Sequence, residues 1–296
     1  MDDEAGLNFT LDSIRASLDF CKAECSVEVI VVDGNGRSSS SLTERYAGAA
    51  GRMRLRQIED LGAGPYGAVD AGLRAGRGRI QSWINAGDYL FPQTIALVLR
   101  AFSSIDRVRW LCGSSCLMTE AGLIGRIDAK PVLYPRAYIA AGWYRKGMLG
   151  YLQQEGMFWD SRLYEEAGGL DLRYKLAADY ALWTRFARIA ELKSIVSPLA
   201  AFEVAPGTQR SRIYEAEYLR EVDEIASRSV VAGVFSFLLR VHYSLVVLAR
   251  LAFIARGDVV LVDTESGRLA SVRGFWPASR VSLWRLAASV RRTRLF

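Results

Sequence analysis

Val27-Glu28-Val29-Ile30-Val31-Val32-Asp33-Gly34 is the stretch on which the fold turns. A β-branched run broken only by Glu28 and closed by Asp-Gly suits a strand covered on both faces, the situation of a parallel sheet. Upstream, Leu11, Ile14 and Leu18 fall at helical spacing over 10–20, with Thr10 placed as N-cap. Downstream, a turn at Ser38 to Ser41 leads into a helix over about Leu42 to Ala50. A strand follows at Leu55 to Asp60, then a glycine cluster, a helix over Ala68 to Ala75, and a strand over Arg79 to Asn85 that stops at Ala86-Gly87-Asp88. Strands alternating with helices predict an α/β fold, an open and mostly parallel sheet with helices on both faces. Ligands in such sheets bind beyond the carboxyl ends of the strands. Asp33 and Asp88 each end a strand, so both are expected to face one crevice. Further on, Asp160 to Gly169 reads as a short helix capped by Asp160 or Ser161. Asp179 to Leu192 reads as an amphipathic one, with Leu182, Phe186 and Ile189 on one side.

Over 296 residues, a hydrophobic content of 51% against 24% charged is that of a globular chain, which argues against disorder. The net charge of +6 is unevenly placed: from Ser229 onward ten Arg face three acids. We therefore expect a near-neutral domain over 1–228 and a basic amphipathic region over 229–296. Ser229 to Ala255 is apolar but broken by Arg240, His242 and Arg250. Phe275 to Phe296 mixes Trp276, Leu283 and Trp284 with five arginines. Apolar and cationic residues so mixed suit helices lying in a membrane interface; the alternative is a helical hairpin packed on the domain or on a second subunit. Nucleic acid is not the expected partner, because no aromatic platform accompanies the arginines. The acidic N-terminus is no secretory signal, and no apolar run is long enough to span a bilayer. This predicts a cytoplasmic protein peripherally attached to the membrane. Cys21, Cys25, Cys112 and Cys116 are expected as reduced, mostly buried thiols.

Gly62-Ala63-Gly64-Pro65-Tyr66-Gly67 fits G-x-G-x-x-G, a dinucleotide fingerprint that would imply an NAD(P)-dependent oxidoreductase. The strand before it carries Arg56, Glu59 and Asp60, where a central strand of that fold is apolar. A tight turn beside a ligand accounts for the glycines without a dinucleotide. Taken in order, the strand closed by Asp33-Gly34, the 61–73 glycine turn and helix, and the strand reaching Asn85-Ala86-Gly87-Asp88 form a series. It continues with Leu152-Gln153-Gln154-Glu155-Gly156-Met157-Phe158-Trp159, the segment 167–187 containing Ala178-Asp179-Tyr180, and Pro198 to Gln209. This series resembles the GT-A domain of family 2 glycosyltransferases over about residues 10 to 211.

The resemblance implies an inverting, nucleotide-sugar-dependent glycosyltransferase acting on a glycan or lipid-linked acceptor, in cell-surface polysaccharide synthesis. By it, Asp33 holds the nucleotide, while Asn85 and Asp88 meet the ribose and a Mg2+ or Mn2+ on the diphosphate. Asp179 falls at the catalytic base, its alternative being a plain helix cap. Phe158, Trp159 and Trp183 either stack an acceptor sugar or fill the core. The sequence departs from the pattern at several points. Gly62 and Gly67 replace acids of the glycine turn, Ser38 an acid after Asp33, Gly87 one of the paired acids, and Ala205 a histidine. Asp88 is the metal ligand that remains, which also fits a relative that binds nucleotide or glycan, or scaffolds an assembly, without transfer. No segment matches the family's first strand, which lies between those of residues 27–32 and 80–85. Either these two pair directly, another segment fills the place, or the chain begins partway into the fold.

Overall fold

A computed structural model describes residues 4–33, 46, 51–60, 62–119, 122–127, 133–146, 148–204, 213–228, 241, 256–262 and 269–275. The β-branched run forms β1 (Val27–Asp33), paired in parallel with β2 (Met53–Glu59) from Val27 against Met53 to Asp33 against Glu59. Residues 27–32 are all half-buried, although five of the six are Val or Ile. Among the described residues β1 has β2 on one side and no strand on the other. The strand expected over 79–85 shrinks to β3 (Ile80–Gln81), antiparallel to β8 (Met157–Asp160). An extended segment needs ladder partners, and the chain past Gln81 has none on the side of β1. Gln154 Nε2 instead donates to the Trp83 carbonyl at 2.6 Å. Direct pairing of the two strands is therefore not what the fold adopts.

The main sheet continues from β8 through β5 (Trp110–Ser114) and β9 (Leu192–Pro198) to β11 (Arg256–Val262) and β12 (Leu269–Phe275). Pairing is parallel at β5–β9 and β9–β11 but antiparallel at β3–β8, β5–β8 and β11–β12, so the sheet is mixed where a mostly parallel one is expected. A third sheet runs β4 (Tyr89–Leu90), β10 (Ala200–Val204), β6 (Cys116–Thr119), β7 (Ile124–Ile127). The helices are α1 (Glu4–Phe20), α2 (Pro65–Ala75), α3 (Thr94–Ser104), α4 (Arg136–Ala140), α5 (Ser161–Glu166), α6 (Ala178–Ile189) and α7 (Glu215–Ser227).

Helices cover both faces of the main sheet, as alternation along β5 shows. Trp110 and Cys112 pack into the core of Trp159, Leu182, Trp183 and Phe186 under α6. Leu111, pointing the opposite way, packs with Val98, Ala101, Ile195, Val260 and Leu269 under α3. A third cluster joins Leu11, Ile14 and Leu18 of α1 to Met53, Leu90 and Ile95, with Val27, Val29 and Val31 at its margin.

Two local expectations are corrected. Thr10 lies inside α1, which starts at Glu4, and is no N-cap. Residues 256–262 and 269–275 are strands of the main sheet, so the sheet draws on both sides of the boundary expected at 228/229. The interfacial helices expected over 229–255 and 275–296, apart from Val241 and the strand residue Phe275, and the helix at 42–50, apart from Tyr46, lie outside the described residues. Asp160 caps α5, accepting from Arg162 N at 2.9 Å, as its sequence predicts. Among the described residues no helix is long and apolar enough to cross a membrane. The four cysteines are free thiols, Cys21, Cys112 and Cys116 buried and Cys25 partly so.

Candidate active site

The glycine loop is built for a close turn. Gly62 and Gly64 have φ of 77° and 79°, a region costly for other residues, and Pro65 opens α2 with its φ already set. A Cβ at Gly67 would collide with Ala63. The loop thus delivers Tyr66 into the protein, where its hydroxyl lies 2.9 Å from Asp179 Oδ1 and 3.2 Å from the Leu176 carbonyl. The strand feeding this loop is β2, in the two-stranded sheet, rather than the central strand a dinucleotide fold requires.

Asp179 sits in the first turn of α6 but does not cap it. The N-cap is Ala177 and makes no side-chain cap bond. Glu221 of α7 instead holds the turn just before the helix, accepting from Lys175 N at 2.8 Å and from Leu176 N and Ala177 N at 2.9 Å each. Burial raises the Asp179 pKa above the ordinary aspartate value and the Glu221 charge adds to this; the Tyr180 N–H and the Tyr66 hydroxyl oppose it. Tyr66 is pushed well up, by burial and by the Asp179 charge. The glycine loop and the segment before α6 face each other across a cavity of about 110 Å3, lined by Ala63, Gly64, Pro65, Tyr66, Leu172, Tyr174 and Lys175.

Asp88 occupies a second acidic locus. It is 2% exposed. Its Oδ1 accepts from Glu203 N at 2.9 Å and its Oδ2 from Asn85 Nδ2 at 3.2 Å. Burial pushes its pKa up to about 7, and the nearby Glu203 carboxylate contributes in the same direction. Gly87 has φ of 95°, and a Cβ there would collide with Glu203 Oε2. The place where the family pattern carries an acid at 87 is thus filled by a carboxylate from β10. Glu155, to which the sequence reading gave no role, links the two loci: burial pushes it up to about 8, and the charges of Asp88 and Asp179 both act on it. Its signal was its position within the Gln153-Gln154-Glu155 run. Gln153 exchanges hydrogen bonds of 3.0 Å with the Cys116 backbone, and Gln154 holds Trp83, so the two amides fix the turn that carries the acid.

Asp33 closes β1 opposite Glu59. Asn85 is exposed beside Asp88. Trp159 and Trp183 are 0% and 1% exposed and belong to the core, where sequence alone left stacking on an acceptor open. Phe158 is half-buried between two apolar clusters. Trp83, missed from sequence, is half-buried and stacks on Trp183 with centroids 5.6 Å apart and planes within 10°. Among the described residues no group of three His, Cys, Asp or Glu side chains is placed to hold a metal.

The sequence matches no family profile and no characterised protein. The structure resembles residues 1–349 of TarS from S. aureus in complex with UDP-GlcNAc, at TM-score 0.58 and 15% identity over 81% of this chain and 70% of that one. The same fragment in complex with UDP gives 0.55 and 15%, over 80% and 68%. Against the longer TarS chain this protein covers 38% of its length. GalNAc-T7 with UDP, GalNAc and Mn2+ gives 0.50 and 14%, over 74% of this chain and 45% of that one. The protein therefore has the GT-A fold.

Proposed function

We propose that the protein is a nucleotide-sugar-dependent glycosyltransferase in which Asp179 is the general base. The observation that carries this is the Tyr66–Asp179 hydrogen bond beside the cavity, which holds a carboxylate of raised pKa against a glycine loop in a GT-A fold. A base poised above the ordinary aspartate range accepts a hydroxyl proton more readily. In the proposed step the acceptor oxygen attacks the anomeric carbon while its proton passes to Asp179. The bond from that carbon to the diphosphate oxygen breaks on the opposite face, which inverts the configuration. Tyr66 orients the carboxylate. The donor lies toward Asp33, Asn85 and Asp88, and a half-exposed Trp83 or Phe158 is the aromatic candidate for an acceptor sugar.

A divalent cation would be held by Asp88, with the Glu203 carboxylate beside it. Two carboxylates are what Mg2+ commonly takes from a protein when substrate phosphates complete its shell. Its chemistry there is to offset the negative charge of the departing diphosphate. The Asp88 oxygens already accept two hydrogen bonds and the group is nearly sealed, so the site fits a cation that arrives with the nucleotide and not one held by protein alone. That sealing also favours a second reading, in which the chain binds nucleotide or glycan without transfer. We place the acceptor among glycans or lipid-linked glycans at the cytoplasmic membrane face, in cell-surface polysaccharide synthesis, with the basic residues beyond Arg228 meeting the lipid.

Calorimetric titration with UDP-, GDP- and TDP-sugars, with and without Mn2+ and alongside NAD, tests the reading. One nucleotide sugar should bind, more tightly with Mn2+, and NAD should not. Asp179→Asn should keep that binding and lose transfer. Binding with no transfer by the parent protein would favour the second reading, and binding of NAD alone would end both.

A further inference from the structure

Helix α7 contributes two acids to this region, Glu224, which accepts from the Tyr174 hydroxyl at 3.4 Å, and Glu221, and the helix is anchored so as to present them. Val222 and Ile225 are 1% and 6% exposed and pack into the main core. Arg145 pairs with Asp223 and Lys146 with Glu215 along the same helix. From that mounting the Glu221 carboxylate takes three consecutive backbone N–H groups, those of Lys175, Leu176 and Ala177, on its two oxygens. These amides lie in the turn just before α6, two to four residues before Asp179, and that of Ala177 belongs to the helix N-cap. Leu176 also presents the carbonyl that the Tyr66 hydroxyl meets, and Lys175 lines the cavity. One side chain therefore fixes a cavity wall, the turn that leads into the Asp179 helix and one of the two acceptors of Tyr66.

We infer that Glu221 is a positioning residue for transfer: its grip on the Lys175–Ala177 turn sets where Asp179 stands against Tyr66 and the cavity. The inference rests on the reading of Asp179 as the base. A mere cap would stabilise the fold and leave the chemistry alone. A positioning residue must also tune Asp179. The groups acting on that carboxylate are Tyr66 from α2, Glu155 from the turn before β8, and Tyr218 and Glu221 from α7. Of these, Glu221 brings a negative charge on the helix that also holds the turn.

The experiment uses the full chain with Glu221→Gln, Glu221→Ala and Asp179→Asn. In Glu221→Ala the amides of 175–177 should exchange roughly tenfold faster or more, and turnover should fall by a similar factor with donor KM unchanged. Glu221→Gln keeps one carbonyl acceptor and should restore part of both. Because it removes a negative neighbour, it should also lower the pKa of Asp179, read by carboxyl-carbon NMR without any need for turnover and, where transfer is measured, as an acid limb moved to lower pH. Unchanged Asp179 titration and unchanged 175–177 exchange in these variants would overturn the role of Glu221 while leaving the proposed function standing. Transfer retained by Asp179→Asn would instead overturn the base assignment, and the inference with it.

Discussion

Tyr66 holds Asp179 with a hydroxyl whose donation favours the charged carboxylate, against burial and the Glu221 charge that disfavour it. Tyr66→Phe removes that donation and nothing else of bulk. Asp179 should then titrate higher than in the parent, so the acid limb of kcat/KM should move to higher pH, opposite in sign to the shift expected of Glu221→Gln. Hydrogen bonds to charged groups contribute about 1.5–3 kcal/mol, so turnover at neutral pH should fall roughly 10- to 100-fold with donor KM little changed. A pH profile superposable on the parent's would show that the bond is incidental. The sequence singles out Asp179, the proposed base, through the resemblance carried by the Ala178-Asp179-Tyr180 segment. The tie from Tyr66 was not, because it spans 113 residues and exists only once α2 and α6 are side by side. The same holds for Glu203. Sequence reads Gly87 as a lost acid, whereas the fold brings the β10 carboxylate into that space.

At the scale of elements, α1 shows how a correct helix can carry a misread residue. The apolar spacing of Leu11, Ile14 and Leu18 marks the helix and its buried side, but Thr10, Ser13 and Ser17 are buried on it too. Thr10 Oγ1 donates toward the Asp88 carbonyl at 2.7 Å and accepts from Gly87 N at 3.1 Å. Ser13 Oγ accepts from Leu90 N at 3.0 Å and Ser17 Oγ from Ile95 N at 3.1 Å. Three hydroxyls at i, i+3 and i+7 thus stitch the helix to the segment 87–95, supplying acceptors where the chain past β3 lacks a ladder. Thr10→Val keeps the shape and removes the bonds. It should destabilise the protein by about 1–3 kcal/mol, the cost of leaving buried polar groups unmet, and lower Tm by several degrees. Because the same turn carries Asn85 and Asp88, nucleotide affinity should fall as well. A variant with parent Tm and parent affinity would show that the packing of α1, and not its hydroxyls, holds the turn. Strand β3 was overread for the complementary reason: Ile80 to Asn85 has the composition of a strand, but pairing is a property of neighbours that composition does not report.

For the whole molecule, the sheet and the basic tail make conflicting demands on any truncation. Charge alone sets a boundary at Ser229, and removal of everything beyond it is the simplest way to test membrane attachment. The sheet forbids that shortcut. Strand β11 pairs with β9 through Asp258 to Val260, and Val260 and Leu269, 0% and 8% exposed, pack into the core beneath α3. Deletion from Ser229 onward should therefore bare Ile195 and Leu111, lower Tm sharply and promote aggregation, so loss from a membrane fraction would not report on lipid binding. Ending the chain after Phe275 keeps every described strand and removes Arg280, Arg285, Arg291, Arg292 and Arg294 together with Trp276 and Trp284. Each basic residue near an anionic surface contributes about 1 kcal/mol at moderate salt, and the attraction fades beyond a Debye length. Residues 1–275 should therefore unfold at the parent temperature yet sediment far less with anionic vesicles, while high salt should release the full chain only in part because its apolar side chains remain inserted. Equal vesicle binding by the two chains would move the attachment to residues 229–255. A full chain that ignores anionic vesicles altogether would remove the membrane from the proposed function.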